Sequence, residues 1–262
     1  MKETVAIIGA GNMGAAFYKG MREHLTRVRI NVCDRNLEKL KAIDAEHIYT
    51  DPMKAIADAS VVLLAVKPQS AAALLTPLSP ALKDHLVISI MAGITLASLQ
   101  NMTRSATVIR AMPNLPAQVG RGLTGWIASV DVSPKERAFV KDVFLAVGRE
   151  IEVEQESLLD SLTPLSGSGP AYFFLLAEMI MTKALKEGFT PAQASLIARE
   201  TLIWSAQILD DDARSPSELR AAVTSKGGTT QAALEVLKDR KIEEIFFEAI
   251  DRAIARSKEL NQ

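Results

Sequence analysis

The chain has 262 residues, 48% of them hydrophobic, which is enough to fill the core of one large domain or two ordinary ones. Its 30 basic and 31 acidic residues leave a net charge of −1, so we expect a small-molecule partner rather than a nucleic acid or an anionic membrane. One cysteine, three scattered histidines and no leader or membrane-length apolar run argue against a disulfide, a metal site and export, and predict a cytoplasmic protein.

The first predicted element is a buried strand that ends in glycines and leads into a helix. Residues 5–8 form a continuous apolar run, which is typical of a strand covered on both faces. The spacing G-x-G-x-x-G follows directly, and an ordinary structural turn is the alternative interpretation. In a dinucleotide site these glycines permit a sharp turn, the approach of a pyrophosphate and close helix packing. We predict dinucleotide contacts from Gly9, Gly11, Asn12, Met13 and Gly14 at the helix start.

The second predicted strand, residues 28–33, ends beside the residues expected to choose the cofactor. Asp34, Arg35 and Asn36 follow it, about 20 residues beyond Gly14, where dinucleotide folds place the residue that contacts the ribose. Asp34 alone would favour NAD, because its carboxylate accepts a hydrogen bond from the ribose 2′-hydroxyl. Arg35 and Asn36 could instead bind the 2′-phosphate of NADP. These residues favour NADP and leave NAD open.

Three further buried strands, residues 61–66, 86–90 and 107–111, are predicted to end at one edge of a parallel sheet. Ligands bind at the carboxyl ends of such strands. The apolar ends, rich in proline, glycine and alanine, would provide a dry, flat wall for a nicotinamide ring, although ordinary turn chemistry is the alternative.

The chain is predicted to divide into two domains near residue 155, where strand patterns give way to helical ones. The first, residues 1–154, also contains helices at 53–59, 94–102 and 134–147 and strands at 123–130 and 149–153. The second, residues 155–262, is predicted to be all helical, with helices at 157–162, 170–188, 191–209, 217–223, 230–239 and 241–259. Residues 171–185 are apolar on nearly every side of their helix, so we expect a second copy of the chain to cover them.

Two glycine-containing turns in the helical half are candidate functional sites. Residues 163–170 enter the apolar helix, and Pro170 suits its first turn. Residues 223–231 combine adjacent glycines with several hydroxyls and open a later helix. Because N–H groups and hydroxyls at a helix start bind carboxylates, this turn is a candidate substrate site. An ordinary N-cap by Thr229 or Thr230 is the alternative.

Six motifs occur in order along the chain: G-A-G-N-M-G at 9–14, A-V-K-P-Q at 65–69, M-A-G-I-T-L at 91–96, R-A-M-P-N-L-P-A at 110–117, L-S-G-S-G-P-A-Y at 165–172 and V-T-S-K-G-G-T-T at 223–230. In these motifs essentially the whole chain resembles the Δ1-pyrroline-5-carboxylate reductase family, which catalyses the last step of proline biosynthesis. The resemblance implies an α/β fold, with an N-terminal Rossmann-type dinucleotide-binding domain followed by an all-helical dimerisation and substrate domain. It also implies an intertwined homodimer, sometimes assembled further.

The same resemblance implies the reaction and the residues that act. The expected activity is NAD(P)H-dependent reduction of 1-pyrroline-5-carboxylate to L-proline, with Ser225 and Thr230 as catalytic residues and the Thr230 hydroxyl bonded to the ring nitrogen. The substrate would be held by Ser225, Gly227, Gly228, Thr229 and Thr230. The implied contacts on the nicotinamide wall are Ala65, Val66, Lys67, Pro68, Ala92, Gly93, Met112, Pro113 and Asn114.

The chain departs from the family pattern at three positions, and other functions stay open. The family has proline, glutamate and aspartate where Lys226, Ala213 and Ala221 stand, so another cyclic imino acid is an alternative substrate unless Asp212 compensates. A β-hydroxyacid dehydrogenase shares the opening motif, but that family carries a catalytic lysine where Phe173 stands. A cofactor-binding paralogue without turnover is a further alternative.

Overall fold

One eight-stranded sheet forms the centre of the first of two compact units. The computed structural model describes residues 3–260. The first unit contains the chain up to Ser168 and again from Ile254, and the second is Gly169–Ala253. The predicted α/β class is confirmed, because every described element after residue 153 is helical. The predicted division at residues 154 and 155 stays a prediction.

The strands are arranged in the order β3-β2-β1-β4-β5-β6-β7-β8. Strands β1 to β6 run parallel, β7 is antiparallel to β6, and β8 is parallel to β7. The carboxyl ends of the first six therefore share one edge of the sheet, as predicted. Among the described strands, only β3 was not predicted, because it has three residues at the sheet border and no apolar run. The strands are β1 (Thr4–Ile8), β2 (Arg29–Cys33), β3 (His47–Tyr49), β4 (Val61–Leu64), β5 (Leu86–Ser89), β6 (Val108–Met112), β7 (Gly122–Ala128) and β8 (Gly148–Glu152).

Helices accompany the strands of the first unit, and two of them were not predicted. Helix α4 contains Pro77 and Pro80, residues that normally end a helical pattern. The hydroxyl of Ser79 donates to the carbonyl of Thr76, the group that Pro80 cannot bond. The other, α2, has only seven residues. These helices are α1 (Asn12–His24), α2 (Leu37–Ile43), α3 (Pro52–Ile56), α4 (Ala71–Leu82), α5 (Leu96–Thr103), α6 (Pro134–Leu145) and α7 (Ser157–Leu162).

Successive side chains of β1 enter two separate hydrophobic cores. Val5 and Ile7 lie in one cluster together with Phe17 of α1, whereas Ala6 and Ile8 lie in the other. Alternate side chains of a strand point to opposite faces of its sheet. The continuous apolar run that marks this strand in the sequence therefore reflects burial on both faces.

A buried arginine fixes α7 to the sheet of the first unit. The Arg110 side chain on β6 is 6% exposed, and its guanidinium donates to Glu156 and Asp160 at 2.8 Å each. Glu156 also accepts a hydrogen bond from the N–H of Leu96 at 2.8 Å. Breaking one partner of a buried ion pair costs about 3–5 kcal/mol, so this contact firmly anchors the residues that precede the second unit.

The second unit is built from helices that leave much apolar surface exposed. Phe173, Phe174, Leu175 and Leu176 follow one another on α8, and each is more than half exposed in the single chain. The predicted helix with apolar residues on every side is thus present and is not covered by its own unit. None of the described helices has the length and hydropathy needed to cross a membrane. The remaining helices are α8 (Gly169–Lys186), α9 (Pro191–Asp211), α10 (Pro216–Ala222), α11 (Thr229–Asp239) and α12 (Ile242–Glu259).

Candidate active site

The glycine-rich turn packs closely against the end of β4. Gly9 has a φ of +112°, and a Cβ at this position would lie 2.5 Å from the carbonyl oxygen of Ala65. A Cβ on Gly14 would lie only 1.9 Å from the carbonyl oxygen of Gly9. Any side chain at either position would push the backbone segments apart. The space around Gly11 is open, since a Cβ there would meet nothing within 4 Å. The turn therefore fits the close approach of a pyrophosphate.

Two helices begin without a side chain that caps their first N–H groups. Among the described α-helices that start from an extended N-cap residue, only α1 and α11 lack such a cap, and their N-cap residues are Gly11 and Gly228. Their first-turn N–H groups have no acceptor within the helix, so each offers a site for an anion. The other α-helices of this kind are capped by Asn36, Asp51, Thr95, Ser133, Thr190 and Ser215.

The Asp34 carboxylate holds the glycine turn in place. Its Oδ2 accepts a hydrogen bond from the N–H of Ala10, and its Oδ1 accepts one from the N–H of Asn36, both at 2.8 Å. Asn36 in turn caps α2, because its Oδ1 accepts from the N–H groups of Glu38 and Lys39. Asp34 thus joins the turn after β1 to the turn after β2. Its role in cofactor contact stays a prediction.

Two cationic residues, Arg35 and Lys39, follow Asp34 in the chain. Arg35 is exposed, and Nζ of Lys39 lies 3.9 Å from Oδ2 of Asp34 with half of its side chain accessible. Lys39 was not among the predicted cofactor residues, although a lysine in the first turn of the helix after β2 could have indicated a phosphate contact. These cations offer positive charge to a 2′-phosphate, while each oxygen of the Asp34 carboxylate accepts one backbone hydrogen bond.

The residues expected on the nicotinamide wall share one edge of the sheet. Ala65, Val66, Lys67 and Pro68 follow β4, Ala92 and Gly93 follow β5, and Pro113 and Asn114 follow Met112 at the end of β6. These three strands are neighbours in the sheet. Gly93 has a φ of +74°, and a Cβ there would lie 2.7 Å from the carbonyl oxygen of Leu260. The end of the described chain therefore packs against this wall.

In the second unit, the turn before α11 is fixed by its own backbone and by Gln231. The N–H of Gly228 donates to the carbonyl of Ser225 at 3.0 Å, and the N–H of Gly227 donates to Oε1 of Gln231 at 2.7 Å. A Cβ on Gly228 would lie 2.3 Å from Oγ of Ser225, so a larger residue there would displace the Ser225 hydroxyl. Gln231 was not among the predicted residues, although a glutamine in the first turn of a helix commonly bonds back to the residues before it.

Thr229 and Thr230 are the first residues of α11 and not its cap. The N-cap residue is Gly228, so the alternative of an ordinary threonine cap is wrong. The hydroxyl of Thr230 has no hydrogen-bond partner in the described chain, and its side chain is partly exposed. The predicted substrate turn therefore offers a free hydroxyl beside free backbone N–H groups.

The carboxylate of Asp212, the acid next to Ala213 in the chain, is already hydrogen-bonded to another residue. It accepts hydrogen bonds from the backbone N–H, Nε and NH2 groups of Arg214. These bonds hold the pKa of Asp212 low, at about 2. Its contacts give no support to the hypothesis that it replaces an acid missing at Ala213 or Ala221. Lys226, the third departure, is exposed.

The described residues contain no group of three or more histidine, cysteine, aspartate or glutamate side chains placed to hold a metal ion. Cys33 is buried at the end of β2, and burial raises the pKa of its thiol to about 11. The thiol is therefore neutral at physiological pH and takes no part in the candidate chemistry.

Two family models match separate parts of the chain. A model described as pyrroline-5-carboxylate reductase dimerisation matches residues 156–260. A second model, described as NADP oxidoreductase coenzyme F420-dependent, matches residues 4–93. These ranges correspond to the helical half and to the opening strands of the sheet.

Relatives along the full length share the same description. The chain is 37% identical to a pyrroline-5-carboxylate reductase from Pseudomonas aeruginosa, over 98% of this chain and 96% of the relative. It is 34% identical to the enzyme from Vibrio alginolyticus, over 98% and 97%. The structure of a pyrroline-5-carboxylate reductase from Coxiella burnetii matches with a TM-score of 0.92 at 33% identity, covering all of both chains. The chain belongs to the pyrroline-5-carboxylate reductase family.

A more distant structure shares the fold. A Plasmodium falciparum pyrroline carboxylate reductase solved with NADP bound has a TM-score of 0.86 at 22% identity, covering both chains completely. The predicted family, fold class and enzyme class are confirmed by these comparisons.

The positive charge beside Asp34 leads to a prediction about the cofactor. We expect Arg35→Ala to raise the dissociation constant for NADPH about tenfold, or about 1.4 kcal/mol, and to leave that for NADH nearly unchanged. The measurement is a titration of each reduced cofactor by calorimetry. Lys41→Ala is the control, because Lys41 is an exposed cation of α2 that pairs with Glu38. An unchanged NADPH to NADH ratio in Arg35→Ala would show that Arg35 faces solvent.

Proposed function

We propose that this protein is a pyrroline-5-carboxylate reductase that uses NADPH, and less readily NADH, to reduce 1-pyrroline-5-carboxylate to L-proline. The description shared by its full-length relatives supports this activity. We further propose residues 1–154 as the dinucleotide-binding domain and residues 155–262 as the dimerisation and substrate domain. The cytoplasmic location stays a prediction.

The observation that carries this proposal is the turn that opens α11. It combines an uncapped helix start with the hydroxyls of Ser225 and Thr230, and its glycines keep it free of bulky side chains. Backbone N–H groups at a helix start favour negative charge, so the turn would bind the substrate carboxylate. Ser225, Gly227, Gly228, Thr229 and Thr230 are the proposed substrate contacts.

On the other unit, the open glycine turn and the start of α1 would bind the cofactor. Gly9, Gly11, Asn12, Met13 and Gly14 would hold the pyrophosphate, and Asp34, Arg35 and Asn36 would contact the adenosine ribose and its phosphate. The cofactor, when bound, supplies the hydride that the imine carbon accepts. The ends of β4, β5 and β6 would form the wall against which the nicotinamide ring lies.

The reaction requires the protein mainly to orient the imine substrate. A protonated imine already carries positive charge, so the chain needs to hold it against a dry surface more than it needs a strong base. The free hydroxyl of Thr230 would bond the ring nitrogen and orient it. A threonine hydroxyl is a weak acid, so we assign it to positioning or relaying a proton, together with Ser225.

The alternatives have less support. A β-hydroxyacid dehydrogenase would require a catalytic lysine where this chain has Phe173, which is exposed on α8. A paralogue that binds cofactor without turnover would not need the free hydroxyl at Thr230. Another cyclic imino acid remains an alternative substrate, because Ala213, Ala221 and Lys226 depart from the family pattern.

We also propose that the protein acts as a homodimer. The match of residues 156–260 to a dimerisation family supports this, as does the exposed apolar surface of α8. Burying a large apolar side chain contributes roughly 1.5–3 kcal/mol. Several such side chains along one helix would make the dimer stable at low concentration and the isolated chain unstable.

The reaction is tested by the oxidation of NADPH in the presence of 1-pyrroline-5-carboxylate. We expect Thr230→Ala to lower kcat/KM about 100-fold, because the hydroxyl that orients the ring nitrogen is lost, while NADPH binding is kept. Thr224→Ala is the control, since its hydroxyl lies in the same turn but donates to the carbonyl of Arg220. A protein that binds NADPH normally and shows no substrate-dependent oxidation would refute the proposed reaction.

The dimer is tested by placing a charge on its proposed interface. Leu176→Asp should shift the protein from dimer to monomer in analytical ultracentrifugation and abolish activity, because a carboxylate would be buried without a partner. Val130→Asp is the control, because Val130 is 90% exposed and lies outside the helical unit. A folded, fully active Leu176→Asp monomer would be incompatible with the proposal.

A further inference from the structure

The side chain of Asn114 is held at both ends, and its partners fix which way the amide faces. Its Oδ1 accepts a hydrogen bond from the N–H of Leu123 at 2.9 Å. Since that backbone group is a donor, the amide nitrogen must lie on the other side, where it donates to Oγ of Ser166 at 3.1 Å. The amide oxygen and one of the two amide hydrogens are therefore engaged within the protein.

The same contact leaves the Ser166 hydroxyl as a donor. A serine hydroxyl can accept two hydrogen bonds and donate one. Ser166 accepts from the amide nitrogen of Asn114, which has no lone pair to accept in return. No residue in the described part of the chain accepts the Ser166 hydrogen, and the side chain is partly exposed. The hydroxyl hydrogen is thus directed away from Asn114 and free for a ligand.

The backbone around Ser166 brings this hydroxyl to the end of β6. Ser166 lies in a single π-helical turn, Thr163–Gly167, which the N–H of Ser168 closes by donating to the carbonyl of Thr163 at 2.8 Å. Gly167 lies close to the end of β6, since a Cβ there would lie 2.9 Å from Cε of Met112. Isolated π turns often occur at functional sites. Here the turn places a donor beside the proposed nicotinamide wall.

The nature of the ligand group follows from what the neighbouring residues can offer. Pro113 has no N–H group and Met112 has no side-chain donor, so the side-chain donors at the end of β6 are the Ser166 hydroxyl and the second amide hydrogen of Asn114. The substrate carboxylate has its own proposed partners in the turn before α11. The oxygen of the nicotinamide carboxamide is an acceptor that a hydroxyl donor at this wall would suit.

We propose that the hydroxyl of Ser166 donates a hydrogen bond to the carboxamide oxygen of the nicotinamide ring, and that Asn114 is a positioning residue that keeps this hydroxyl in its donor orientation. The inference rests on the proposed function for the identity of the cofactor. It assigns a cofactor contact to the L-S-G-S-G motif and changes the role of Asn114 from direct contact to orientation.

The test compares two ligands that differ by the nicotinamide half. Ser166→Ala should raise the dissociation constant for NADPH about 3- to 10-fold, as expected for the loss of one neutral hydrogen bond. It should leave binding of 2′,5′-ADP, which lacks nicotinamide, unchanged. Ser168→Ala is the matched control, because the Ser168 hydroxyl has no partner in the described chain, and it should bind both ligands as the wild type does. Calorimetric titration measures both constants without turnover.

Asn114→Asp tests the direction of the hydrogen bond. One oxygen of the new carboxylate would still accept from Leu123, but the other would accept the Ser166 hydrogen and turn it away from the ligand. We therefore expect the same loss of NADPH affinity as in Ser166→Ala, and no further loss in the double variant. NADPH is the probe because its reduced ring is uncharged, so the added carboxylate does not attract it.

Three outcomes would overturn the proposal: an unchanged NADPH affinity in Ser166→Ala, an equal loss for 2′,5′-ADP, or wild-type NADPH affinity in Asn114→Asp. Failure of the proposed reaction is a separate result. A protein that binds NADPH but does not reduce 1-pyrroline-5-carboxylate would remove the reaction and leave the Ser166 contact supported by the titrations.

Discussion

The cofactor half of the protein depends on the close packing of one glycine turn against the end of β4. A Cβ on Gly14 would lie 1.9 Å from the carbonyl oxygen of Gly9, and one on Gly9 would lie 2.5 Å from that of Ala65. This packing places the start of α1 at the edge where the parallel strands end. The Asp34 carboxylate then holds the turn by accepting from Ala10. The proposed phosphate site, nucleotide-selecting residues and nicotinamide wall all follow from that arrangement.

The helices that lack a capping side chain at their N-terminus indicate where anions would bind. A side-chain cap stabilises a helix by about 1 kcal/mol. Most of the described α-helices that begin from an extended residue have such a cap. Gly11 and Gly228 supply no capping side chain at α1 and α11 and give up roughly a few tenths of a kcal/mol relative to a serine or threonine cap. Departures from a local rule are expected where a ligand supplies the missing partner. We therefore propose one anion for each of these helices, a pyrophosphate at α1 and a carboxylate at α11.

The sequence was sufficient for the strands that carry the site, because parallel strands buried on both faces leave continuous apolar runs such as residues 5–8. It was insufficient where structure depends on tertiary contacts. Helix α4 forms despite Pro77 and Pro80, and β3 pairs at the sheet border without an apolar pattern. The donor orientation of Ser166 depends on a contact with Asn114 across 52 positions, which no local pattern encodes.

A crystal structure of the protein with NADP⁺ and L-proline tests the central claim most directly. The account predicts that the pyrophosphate oxygens accept hydrogen bonds from the first N–H groups of α1. It also predicts that the proline carboxylate accepts from the N–H groups of Thr229 and Thr230, with its ring nitrogen beside the Thr230 hydroxyl. Both anions bound away from these helix starts, or a carboxylate held instead by the side chain of Lys226, would contradict it.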